Sequence, residues 1–138
     1  MPTGVLARRY APLMTALALV FASIAALLHV LFFKLESLDW KKPKTWKTFG
    51  LESQAQADTT ASLAFNQGFY NLFLAIVTGA GLVLWGSHRA VSVGLVAAGV
   101  GSMLAAALVL ILSDRRMARA AAIQGTLPLL AILGLLLS

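Results

Sequence analysis

The chain has no cysteine, which excludes disulfides, thiolate nucleophiles and zinc–thiolate sites and leaves the redox compartment unread. Charge is scarce too: 12% of the residues are Asp, Glu, Lys or Arg, against 59% hydrophobic. That balance belongs to a chain immersed in lipid rather than to a soluble domain. No Asp or Lys interrupts an apolar run, so nothing marks an intramembrane ion path, which argues against a pump or ion-coupled transporter. Also missing are a P-loop, a glycine-rich dinucleotide fingerprint, HExxH and GxSxG. No inverted repeat supports a transporter fold.

What is present is four long apolar runs, at residues 11–33, 62–85, 90–112 and 117–137. A helix needs about 20 such residues to cross about 30 Å of hydrocarbon. These runs and one long loop, 34–61, use up the chain. The expected fold is all-α, an integral membrane four-helix bundle forming one transmembrane domain over residues 1–138. Arg8 and Arg9 precede the first run as in a signal peptide. The run is too long for a typical h-region, however, and continues into Lys34, Glu36 and Asp39 without a small-residue cleavage site. It is expected as a retained helix. The short connections 86–89 and 113–116 force the later helices into an up-down order. Asp58, Thr59 or Thr60 is expected to cap the second helix.

The net charge is +6, and the cations flank the apolar runs, as in oriented membrane helices. No basic groove or array of stacking aromatics points to nucleic acid. The first and third connections carry Lys34, Lys41, Lys42, Lys44, Lys47, Arg115, Arg116 and Arg119, whereas the other side carries Arg8, Arg9 and Arg89. Eight against three predicts cytoplasmic connections and outside termini, although Arg8 and Arg9 pull the other way. Within the long loop, Trp40, Lys41, Lys42, Lys44, Trp46 and Lys47 interleave rings and ammonium groups, an interfacial signature. Pro43 forbids one regular helix through it. We read the segment as a membrane-surface anchor, with a lid over a polar site as the alternative.

Small residues predict where helices pack, because water does not drive association inside lipid. Gly94, Ala98, Ser102 and Ala106 form one stripe. Ala18, Ala22 and Ala26 form another, and Ala118, Ala122 and Thr126 a third. Internal packing is the plain expectation for all three; docking of a partner protein is the sharper one.

The polar residues inside the runs are few: His29, Asn66, Gln67, Tyr70, Asn71 and Gln124. A rise of 1.5 Å per residue places all six in one leaflet, at depths of roughly 6–14 Å. Glu36 lies just beyond, at the mouth. A polar group in hydrocarbon must find a partner, so the cluster reads as a shared network or pocket. Asn66 and Tyr70 share one helix face and Gln67 and Asn71 another, rotated by about 100°; both pairs face inward only if their helix is central. Gly68 admits a close neighbour. Pro128 removes the hydrogen bond to the Gln124 carbonyl and frees an acceptor beside the glutamine. Amides and a phenol suit a polar head, and apolar walls suit a tail. His29 and Glu36 are spaced to act as base and orienter, but no second intramembrane His, second carboxylate or Ser or Cys nucleophile stands beside them. They are too few for a metal. His88 reads as a solvated turn residue.

His29, Glu36 seven residues on, Trp40 four later, Phe49-Gly50-Leu51, the block Asn66-Gln67-Gly68-Phe69-Tyr70-Asn71 and Gln124-Gly125-Thr126-Leu127-Pro128 form a pattern. In it the chain resembles the bacterial four-helix membrane proteins catalogued as domain of unknown function 1304. The resemblance runs from the first helix to the last, and the Asn-Gln-Gly block is its specific part. It departs at Ser37-Leu38, where such proteins often have Met-Phe. It implies that the polar cluster is one site and implies no reaction.

The leading expectation is a non-catalytic accessory subunit, or a partner- or lipid-binding component, of a larger assembly in a bacterial inner membrane. The expected ligand-binding residues are His29, Glu36, Asn66, Gln67, Tyr70, Asn71 and Gln124. No catalytic residue, metal or cofactor is expected; a bound lipid or quinone fits, and so does a homo-oligomer. The alternative is a small intramembrane enzyme or carrier for a lipid, quinone or isoprenoid, working through His29, Glu36, Asn66 and Tyr70.

Overall fold

A computed structural model describes residues 3–138, with side chains from residue 8 onward. Every regular element among them is helical. Helix α1 spans Thr3–Phe33 and runs directly into a π-helical turn, Lys34–Leu38. The short α2 covers Pro43–Thr48, α3 covers Gln54–Val83, α4 covers Arg89–Ser113 and α5 covers Ala118–Leu136. Single 3₁₀ turns, Leu84–Gly86 and Arg115–Met117, make the tight connections between the last three. The four long helices are long and apolar enough to cross a membrane.

These helices form a closed antiparallel square. α1 packs on α3 and α5, and α4 packs on the same two from the opposite corner. The core is thin and built of small residues: Ala22, Ala25, Val96, Val100, Met103 and Ala131. Glycines set the seams. A Cβ on Gly81 would lie 2.8 Å from the Val96 backbone nitrogen, one on Gly125 2.8 Å from the Ala107 methyl, and one on Gly134 2.8 Å from the Ala18 methyl. Close backbone approach is what holds helices together where lipid and side chains are equally apolar. The polar groups caught in the core are bonded locally, with Ser92 donating to the Gly81 carbonyl and Thr78 to that of Leu74.

Of the three small-residue stripes, one is internal. Ala18, Ala22 and Ala26 are buried against the neighbouring helices. Gly94, Ala98 and Ser102 instead face outward, and Ala106 is only half-buried; α4 turns Ser92, Val96, Gly99, Met103 and Ala107 inward. Likewise Ala118, Ala122 and Thr126 are exposed, while α5 buries Ala121, Gly125, Pro128, Ala131 and Gly134. Small residues recur on both faces of these helices, so periodicity alone does not choose between them.

Element limits also differ from expectation. α3 begins eight residues before the apolar run, and Ser53, not Asp58, Thr59 or Thr60, caps it by accepting from the Gln56 N–H at 3.2 Å. The long loop contains α2, started by Pro43 in its first turn, where a missing N–H costs nothing.

Candidate functional site

The site is built at the end of the bundle that carries the first and third connections. Its pivot is the π turn. The Asp39 N–H reaches back to the Lys34 carbonyl at 3.0 Å, closing a ring one residue wider than an α-helical turn. Such turns recur at functional positions. This one lies flat on α3 because Gly68 has no side chain: a Cβ there would lie 2.9 Å from the Ser37 backbone nitrogen and 3.1 Å from the Glu36 Cβ. Ser37 fastens the contact by donating to the Phe65 carbonyl at 2.8 Å. Glu36 then accepts from Asn71 Nδ2 at 2.7 Å.

Beyond the turn, the chain is tied back to α3 by its tryptophans. Trp40 Nε1 donates to the Ala57 carbonyl at 3.0 Å and lies 3.3 Å from Thr60 Oγ1. Trp46 is buried and donates to Gln54 Oε1 at 3.2 Å. Asp39 holds Lys34 and Lys42; hydrogen bonds from Lys34 and then Lys42 keep its carboxyl below the ordinary aspartate value. Lys41 lies 3.5 Å from Asp58. Gly50, at φ 79°, ends α2, and Leu51 N–H bonds the Trp46 carbonyl across it at 3.1 Å. Phe49 packs on Trp40 with ring centroids 5.1 Å apart.

The expected surface anchor is therefore corrected in part. Trp46 points into the protein and half-buried Trp40 bonds α3, so neither indole N–H is left for a headgroup. Lys41, Lys42, Lys44 and Lys47 remain exposed. α2 and its cap instead stand over a cavity of about 1090 Å³. Lys47, Thr48, Phe49 and Gly50 form its cover, Phe32, Leu35, Val109, Leu110 and Ile123 much of its apolar wall, and Glu36, Gln67, Asn71 and Gln124 its polar lining. Arg116 and Arg119 stand at the α5 side.

The expected polar cluster thus divides. Glu36, Gln67, Asn71 and Gln124 meet in the cavity. Asn66 and Tyr70 are exposed on the outer face of α3, with Tyr70 58% accessible. α3 occupies a corner of the square and contacts two helices, so one of its two polar pairs had to face out. His29 is completely buried in the core and does not line the cavity. Its Nδ1 lies 2.9 Å from the Ala25 carbonyl. A carbonyl only accepts, so Nδ1 carries the proton and Nε2 is a lone pair, which has no partner within the protein. His29 and Glu36 make their hydrogen bonds to different groups, Ala25 and Asn71. Among the described residues, no group of three or more His, Asp or Glu could hold a metal.

Arg116 and Arg119 counted in the sequence only toward orientation. Their spacing held more: 116, 119–120 and 123–124 repeat at helical intervals and share the face of Gln124. Arg116 Nε and Nη2 bond Asp114 at 3.0 and 2.8 Å, and those bonds lower the Asp114 pKa.

The profile of one family, described as protein of unknown function (DUF1304), matches residues 23–136. The chain belongs to that family. The matched stretch takes in the π turn, α2 and the entire cavity lining, and thus the whole site. No curated protein matches the chain, and neither does any solved structure.

Proposed function

We propose that this protein is a multi-pass membrane protein whose cavity holds one lipid-like amphiphile, a lipid, quinone or isoprenoid, as a binding component and not as an enzyme. The observation carrying this is the chamber of about 1090 Å³, in which four polar side chains converge among apolar walls. Ligand sites are of this kind: apolar containers with a few placed polar groups. The carboxylate of Glu36 is held by Asn71, and the amides of Gln67 and Gln124 offer both donors and acceptors. Pro128 leaves the Gln124 carbonyl without its helical partner. By the Lys and Arg count, the cavity opens toward the cytoplasm.

Native mass spectrometry of the full chain, purified gently from its own membrane, tests this. A defined amphiphile is expected to be retained by the wild type and lost from Ala106→Trp, which fills the chamber from α4. A wild type that carries nothing, or a filled variant that carries as much, overturns the proposal. A second reading, docking on a larger membrane protein, is favoured by the outward Gly94, Ala98 and Ser102.

A further inference from the structure

We infer that the amphiphile in the cavity bears a phosphate headgroup, seated at the rim between Lys47 and Arg119. This rests on the binding proposed above and names its ligand class. Three cations line the cavity, Lys47, Arg116 and Arg119, against one carboxylate, Glu36. The other cations of this end are mostly committed: Lys34 and Lys42 to Asp39, Lys41 to Asp58. Arg116 is also held, by Asp114. Lys47 and Arg119 form no ion pair among the described residues; Lys47 lies beside the Trp46 ring, 5.5 Å from its centroid. An amphiphile without charge, such as a quinone or prenol, leaves these two unmatched.

The site has two tiers. Arg119 precedes Gln124 by five residues, or about 7.5 Å along α5. The cations therefore form the outer tier, and Gln124, Glu36 and Asn71 the inner one. Glu36 repels an anion that moves deeper, which fixes the headgroup at the rim. The carbon chains then run inward along Phe32, Leu35 and Ile123. Cations reach the rim from two different elements, α2 and α5, with Arg116 beside them. A flat carboxylate is satisfied by one arginine fork, whereas separated cations suit a tetrahedral group with several charged oxygens.

The test uses the full chain in neutral detergent, with dioleoyl phosphatidic acid, dioleoylglycerol and oleic acid as probes, and retained adducts counted by native mass spectrometry. Phosphatidic acid is expected to be retained in preference to the other two. The double variant Lys47→Gln with Arg119→Gln is expected to lower that retention roughly tenfold, the scale of one lost charge-assisted contact. The double variant Lys44→Gln with Arg115→Gln makes the same charge change outside the cavity and is expected to retain phosphatidic acid as the wild type does. Equal losses in both doubles would reduce the effect to general attraction and overturn the inference. Equal or better retention of oleic acid or dioleoylglycerol overturns it as well, but leaves amphiphile binding standing. A wild type that retains none of the three removes both.

Discussion

At the residue scale, Gly68 decides whether the site exists. The π turn rests on it so closely that any Cβ would press on backbone, which cannot rotate away as a side-chain tip can. Gly68→Ala is expected to cost about 1–3 kcal/mol through overpacking and to loosen the Glu36–Asn71 bond. Gly79→Ala, on the same helix with open space at its Cβ, is the control. It is expected to be neutral or to stabilise by up to about 1 kcal/mol, because glycine is a poor helix former. Thermal unfolding of both variants in one detergent checks this; similar melting temperatures would refute the role given to Gly68. Asp114 carries a second prediction. Its folded pKa lies below the ordinary 3.8, chiefly through the Arg116 side chain and then its backbone N–H. A lowered acid contributes stability that is present above its unfolded pKa and lost as pH falls through the folded one. The Asp114–Arg116 clamp is therefore expected to survive at neutral pH and to open only on acidification below 3.8. Carboxyl-carbon NMR of Asp114 reports this directly, and a midpoint at or above 3.8 would contradict it.

At the scale of elements, the prediction concerns α4. Its outward small residues take no part in closing the square, so Gly94→Leu and Ser102→Leu are expected to leave the melting temperature of the isolated protein within a degree or two. If α4 docks on a larger protein, the same changes block close approach and release it. Loss of bundle stability in the leucine variants would show instead that the face is structural; co-purification with and without them reads the docking. The four long helices, the internal stripe of α1 and the gathering of polar residues at one end were legible in the sequence, from run length and rise per residue. The rotation of each helix was not. In a soluble bundle the apolar stripe marks the inside. Here exposed Leu63, Phe65, Phe73 and Ile76 on α3 are as apolar as anything in the core, so Asn66 and Asn71 could not be told apart by pattern. The π turn was hidden too, because its ring depends on a tertiary contact with Gly68 and on no residue type within Lys34–Leu38.

At the scale of the whole molecule, the bundle is longer than a bilayer is thick. α3 has 30 residues, about 45 Å, against about 30 Å of hydrocarbon. Its first turns, with Gln54, Gln56, Asp58, Thr59 and Thr60, stand clear of the apolar run and provide the wall to which Trp40 and Trp46 are bonded. The cover of the cavity is thus carried by the extension of α3 rather than by lipid. Its position follows the protein, and the loop could not be read as an anchor once that wall was in place.

The π turn also gives the sequence spacing a meaning beyond distance. Each residue of a helix carries about 100° of rotation. Glu36 meets Asn71, and Trp40 meets Ala57, only because one wide ring lies between α1 and the cover. The intervals His29 to Glu36 and Glu36 to Trp40 therefore act as a phase setting, like the teeth of a gear. Side chains along this stretch can be exchanged one at a time, whereas inserting or removing a single residue there turns the carboxylate away from its partner and carries the cover round with it.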